Sequence, residues 1–208
     1  MSSKRATLRR LCVFCGSNAG VDPVYRRAAV AFAELLAERR LGLVYGGGDV
    51  GLMGVLADTV LAAGGEVIGV IPRSLVDREL AHHGVTDLQI VDGMHERKRR
   101  MYEQSDAVVA LPGGAGTLDE LFEAFTWNQL GIHFRPTGLL NVAGYFDPLI
   151  AMFDRMVEQG FLRRAQRDAL VVAESGPELL AALAAVRPTT ANKWIERAGE
   201  PAAGGALR

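Results

Sequence analysis

Ala107-Val108-Val109-Ala110-Leu111-Pro112-Gly113-Gly114-Ala115-Gly116-Thr117-Leu118-Asp119-Glu120 decides the fold. The first five residues form an unbroken apolar run, the pattern of a strand buried on both faces. The glycines then open a tight turn, and the periodic residues from 118 to 130 predict a helix. A buried strand that turns directly into a helix is the unit of a parallel sheet with crossover helices.

The same unit recurs on both sides of this stretch. Residues 11–15 are apolar and break at Gly16-Ser17-Asn18, and Asp22-Pro23 then opens an amphipathic stretch to Arg40. Leu43-Val44-Tyr45 runs into Gly46-Gly47-Gly48 and a helical stretch over 51–63. Apolar runs at 67–71, 88–91, 138–142 and 170–173 complete the alternation, with a charged helix over about 94–105. The expected fold is α/β, a Rossmann-like doubly wound, mostly parallel sheet with helices on both faces. Ligands of such sheets sit outside the carboxyl ends of the strands, where the loops at Gly16, Gly46 and Gly113 should converge.

A chain of 208 residues that is 49% hydrophobic can fill one core unaided. The expected organisation is a flexible segment over 1–10, one domain over 11–186, and a polar, Pro- and Gly-containing tail over 187–208 with little to bury. A net charge of -1 offers no global attraction to nucleic acid or to an anionic membrane. The apolar run after Arg10 is too short for a signal segment or a membrane span, and two cysteines three residues apart build no disulfide framework. A cytoplasmic location fits these features. Cys12 and Cys15 fall on opposite faces of a strand and are expected to be packing residues. The four histidines, His82, His83, His95 and His133, show no metal-ligand spacing, so no metal is expected.

The loop at 112–117 lets backbone amides approach an anion at a helix N-terminus, and a phosphate is its natural guest. The sequence ends in neither the GK[ST] of a Walker A loop nor a GxGxxG fingerprint, which argues against NTP hydrolysis and dinucleotide chemistry. Thr117 and Glu120 also fit a T-x-x-E capping box, in which the carboxylate only satisfies a backbone amide. Against that stands the helical wheel. With Leu118, Leu121, Phe122 and Phe125 inward, Glu120, Glu123 and Trp127 share the other side, at the end facing the crevice. Trp127 there suggests a pocket or a subunit contact.

His95-Glu96-Arg97-Lys98-Arg99-Arg100 looks like a solvated charge run until it is placed on a helix. Met94, Arg97, Lys98 and Met101 then share the inward face, while Glu96 with Arg100 and Arg99 with Glu103 form i,i+4 pairs outside. Two inward cations need an anionic partner, because burying them bare costs several kcal/mol; a phosphate or a carboxylate would serve.

Met94-His95-Glu96-Arg97-Lys98 followed by Pro112-Gly113-Gly114-Ala115-Gly116-Thr117-Leu118-Asp119-Glu120 resembles the PGGxGTxxE signature of the LOG (Lonely guy) family, the cytokinin riboside 5'-monophosphate phosphoribohydrolases. The likeness extends from Val13 to about Val186. It implies hydrolysis of the N-glycosidic bond of N6-substituted adenosine 5'-monophosphates, with AMP as an additional substrate, to free base and ribose 5-phosphate, without cofactor. It also implies a homodimer. The resemblance makes Arg97 and Glu120 the catalytic pair. It makes Glu79, Lys98, Gly114, Ala115, Gly116, Thr117, Leu118, Asp119, Glu120 and Thr126 the substrate contacts, with Glu123 in support. Ala115 and Asp119 depart from the residues common in relatives. Family members have also been labelled lysine decarboxylases, but a pyridoxal phosphate lysine has few candidates here: Lys4, Lys98 and Lys193. The alternative function is a non-catalytic nucleotide or cofactor carrier on the same fold.

Overall fold

The computed structural model describes residues 8–76 and 80–187. The first strand, β1 (Arg10–Phe14), shows why the sheet must be central. Leu11, Val13 and Cys15 enter one apolar cluster, while Cys12 and Phe14 enter another on the opposite face. The period of two thus sends every side chain into a core, and the two cysteines pack on opposite sides, both free.

Six further strands follow: β2 (Gly42–Tyr45), β3 (Val67–Pro72), β4 (Asp87–Val91), β5 (Ala107–Ala110), β6 (Thr137–Leu140) and β7 (Leu170–Ala173). All pair in parallel, in the order β4-β3-β2-β1-β5-β6-β7. The expectation of a mostly parallel sheet is met by one that is entirely parallel among the described residues. Chain order reverses between β1 and β5, whose register pairs Phe14 with Ala110. A crevice therefore opens where the two connections leave in opposite directions.

Helices α1 (Pro23–Glu38), α2 (Gly51–Ala62) and α8 (Gly176–Ala185) cover one face around Phe32, Leu36, Leu56 and Leu183. Asp22 caps α1 by accepting from the Val24 amide at 2.8 Å, with Pro23 in the first turn. On the other face lie α4 (Met94–Glu103), α5 (Ala115–Leu130) and α6 (Asp147–Glu158), the last burying Phe153 against Phe125 and Phe122. Two short helices, α3 (Arg73–Val76) and α7 (Arg164–Asp168), complete the set. No helix among the described residues is long and apolar enough to cross a membrane.

The start of the glycine-loop helix differs from the expectation. Helix α5 starts at Ala115, with Gly114 at its N-cap, rather than at 118. Thr117 therefore lies inside the first turn and cannot cap it, which removes the capping-box reading of Thr117 and Glu120. Trp127 is half-buried and packs one side of its ring against Tyr102, 5.1 Å away and edge-on, and near His133 at 5.8 Å. The segments expected to be flexible at 1–10 and to form a tail from 187 lie, apart from residues 8–10 and 187, outside the described residues.

Candidate active site

The loops that leave β1, β2 and β5 meet at the carboxyl end of the sheet, as their glycines predict. Gly16 donates its amide to Pro112 O at 3.0 Å and accepts from the Leu52 amide at 3.0 Å, so the three connections are stitched together by backbone alone. Between them lies a cavity of about 370 Å³, lined by Gly46, Gly48, Arg97, residues 114–117 and Glu120. A larger hollow of about 840 Å³ opens at the amino ends of the strands, between residues such as Arg10, Gly42 and Asp106. It holds none of the converging loops, and the ligand-binding end of a doubly wound sheet is the other one.

Arg97 enters the cavity from α4, where Lys98, Met101 and Tyr102 share its buried face and Met94, expected inside, is 44% exposed. Its guanidinium is held on three sides. Nε donates to Val70 O at 3.2 Å, Nη2 donates to Gly46 O at 3.3 Å, and Nη1 stands 3.5 Å from Oε1 of Glu120. Gly46 is required here, since a Cβ at that position would overlap Nη2 of Arg97.

Glu120 comes from the second turn of α5 and is 8% exposed. Burial pushes its carboxyl up to about 7, against the opposing pull of the Arg97 and Lys98 charges. A carboxyl poised near neutrality in a cleft is the arrangement expected of a general base. The backbone behind it is fixed as well, since Tyr102 donates its hydroxyl to Glu120 O at 2.9 Å.

Above Glu120, Gly114, Ala115 and Gly116 are exposed at the N-terminus of α5, whose first amides have no partners within the helix. Nothing would meet a Cβ at Gly114 or Gly116, so their bare backbone leaves room for a ligand. Gly113 is different: a Cβ there would collide with Thr117 Oγ1 and approach the Gly16 amide.

The remaining sequence-derived site residues do not all gather here. Lys98 lies on the flank between α4 and α5, its Nζ 2.7 Å from Oδ2 of Asp119 and 3.2 Å from Oε2 of Glu123. Of the two kinds of anionic partner expected for it, carboxylates are the ones it meets here. Leu118 packs against the core beside Phe122. Thr126 is exposed farther along α5, and Glu79 lies outside the described residues. Sequence reasoning passed over the apolar cavity wall of Val50, Met53, Ile71, Leu75 and Leu80. Val50, Met53 and Ile71 follow from the strand-end rule, while Leu75 and Leu80 carried no local signal. A second candidate cluster gathers Asp49, Asp58 and His82, with Asp49 Oδ1 3.8 Å from His82 Nε2. His82 Nδ1 accepts from the Gly84 amide at 3.1 Å, which leaves Nε2 to donate to Asp58 at 3.1 Å.

Fold and site together define a doubly wound α/β protein with an exposed glycine loop at a helix N-terminus set beside a buried carboxylate and guanidinium. A family model described as "Possible lysine decarboxylase" matches residues 53–183. The chain is 51% identical over 86% of its length, and 81% of the relative's, to "Probable cytokinin riboside 5'-monophosphate phosphoribohydrolase LOGL1" of Oryza sativa subsp. japonica. It is 45% identical over 90% of its length, and 87% of the relative's, to "Cytokinin riboside 5'-monophosphate phosphoribohydrolase LOG7" of Arabidopsis thaliana. The chain belongs to this family, the LOG proteins. Among solved structures, the molybdenum cofactor carrier protein MCP from Chlamydomonas reinhardtii is similar in fold, with a TM-score of 0.64 at 20% identity over 84% of this chain and 94% of that one.

Proposed function

We propose that this protein hydrolyses the N-glycosidic bond of N6-substituted adenosine 5'-monophosphates, and of AMP, releasing the free base and ribose 5-phosphate. The observation that carries the reading is the pairing of Arg97 with Glu120 in the same cavity as the exposed N-terminus of α5. Relatives named as phosphoribohydrolases at 45–51% identity favour it over the carrier reading, because the carrier proteins are similar at 20% identity, which speaks to fold alone.

In this reading the 5'-phosphate is held by the amides of residues 114–117 and by the partial positive charge of the helix end. The ribose lies over Glu120. As the bond to the base breaks, positive charge grows on the sugar, and the Glu120 carboxylate stabilises it while taking a proton from the attacking water. The proton balance closes when the departing base is protonated. Arg97 holds the carboxylate in place and favours its ionised form. The apolar wall at Met53, Leu75 and Leu80 suits an aromatic base. Lys98, Leu118, Asp119, Glu123, Thr126 and Glu79 belong to the proposed site through the family resemblance, which also supports a homodimer; the cytoplasmic location rests on the cysteine usage and the short apolar run after Arg10.

The test is chromatographic detection of free base and ribose 5-phosphate from isopentenyladenosine monophosphate and from AMP, with Glu120→Ala and Arg97→Ala as controls. Release by the wild type and loss by orders of magnitude in Glu120→Ala is the expected result. Intact nucleotide in every sample overturns the proposal and leaves the carrier reading.

A further inference from the structure

We infer that Tyr145 is a positioning residue for phosphate binding, acting through the Gly113–Gly114 peptide. The inference rests on the reading that the loop at 114–117 binds the 5'-phosphate.

Tyr145 comes from the far side of the switch point. After β6 the chain makes a single 3-10 turn, Val142–Gly144, in which Ala143 adopts φ 51 and ψ 34 and Gly144 φ 70. A left-handed alanine costs free energy and persists only where the surroundings impose it. Here Asn141 imposes it: its side chain accepts from the Phe146 amide at 2.8 Å and donates to Asp147 Oδ1 at 2.7 Å, spanning the turn. The turn aims the Tyr145 ring across the β5 loop, with edge contacts to Tyr25 at 5.6 Å and Phe146 at 5.0 Å. Its hydroxyl donates to Gly113 O.

That bond fixes a direction. In a trans peptide the carbonyl and the following N–H point opposite ways. Drawing Gly113 O toward Tyr145 therefore turns the Gly114 amide away from it. Tyr145 lines a separate hollow of about 260 Å³ on one flank of the loop, and Gly114 alone of the two also lines the cavity with Arg97 and Glu120. The preceding peptide is fixed by the same logic, with Pro112 O accepting from the Gly16 amide at 3.0 Å. Between two glycines a peptide flip meets little steric resistance, and a flipped peptide would offer a carbonyl where an anion needs a donor. Tyr145 opposes that flip from outside the cavity.

The test is calorimetric titration of Tyr145→Phe, which keeps the ring packing, with ribose 5-phosphate and separately with the nucleoside isopentenyladenosine. Losing one orienting hydrogen bond should weaken ribose 5-phosphate by about 5- to 10-fold and leave the nucleoside affinity unchanged. KM for the nucleotide should rise by a similar factor, with a smaller change in kcat. The ratio of the two affinities within one variant does not depend on the fraction folded, so a destabilised variant still decides the matter. Unchanged affinity for ribose 5-phosphate, or an equal loss for both ligands, overturns the inference. Wild-type protein that binds ribose 5-phosphate without hydrolysing nucleotides overturns the proposed activity and leaves this inference standing; wild-type protein that binds neither overturns both.

Discussion

Nη1 of Arg97 stands 3.5 Å from Oε1 of Glu120, and each side chain is about nine-tenths buried. A guanidinium at that separation from a carboxylate, out of bulk water, favours the carboxylate's ionised form. The cation opposes the burial that pushes Glu120 up to about 7.

The pH dependence of the proposed hydrolysis follows from this pair. A base of pKa about 7 is ionised above neutrality, so kcat/KM should rise with pH through that value. Arg97→Ala removes the charge that favours ionisation, so the rising limb should move to higher pH by about one unit or more, alongside a loss of rate. A limb that stays in place would show that Arg97 does not govern Glu120.

Glu120 should also cost stability at neutral pH. Its folded value of about 7 lies above the ordinary 4.5. The protonated carboxyl therefore favours the folded state below pH 4.5, and that advantage is lost as pH rises to 7. Glu120→Gln has no such titration. Its stability relative to wild type should increase across that window by about 3 kcal/mol, read as the difference in urea unfolding free energy at pH 4.5 and pH 8.

Lys98 anchors α4 to α5 through Asp119 and Glu123. Lys98→Met keeps the stem but leaves the 19% exposed Glu123 carboxylate without its cation, which should cost about 3 kcal/mol. Adding Glu123→Gln should return part of that loss. A double variant equal to the sum of the two single variants would remove the coupling.

Two glycines separate architecture from binding. Gly46→Ala places a methyl against the Arg97 guanidinium, so the proposed activity should fall by roughly 100-fold through displacement of the group that positions Glu120 in the proposed mechanism. Gly116→Ala meets open space in the first turn of a helix, where alanine is favoured over glycine by up to about 1 kcal/mol. It should melt no lower than wild type while binding ribose 5-phosphate more weakly. Calorimetry and scanning melts on the two variants check both statements.

The alternation of apolar runs with helical periods was enough to specify a parallel sheet, because buried strands and amphipathic helices carry different periods in the sequence itself. The three glycine breaks at strand ends were enough to place the crevice. The inward face of α4 was legible for Arg97, Lys98 and Met101 for the same reason, but not for Met94, which lies at the helix start, where the stripe runs out from under neighbouring elements. The intrachain neighbours of Trp127, Tyr102 and His133, were not legible, because a helical wheel records which side a residue faces and not what stands opposite.

By itself, then, the sequence determined the kind of sheet, the end at which the glycine loops converge and the helix faces that turn inward, since each depends on residues near one another in the chain. Tertiary structure alone decided that Arg97 pairs with Glu120 while Lys98, its neighbour, pairs with Asp119 and Glu123. It also decided that Leu75 and Leu80 wall the cavity and that Tyr145 reaches Gly113. These contacts join segments from different crossovers, and their partners are fixed by strand order and helix packing rather than by any local pattern.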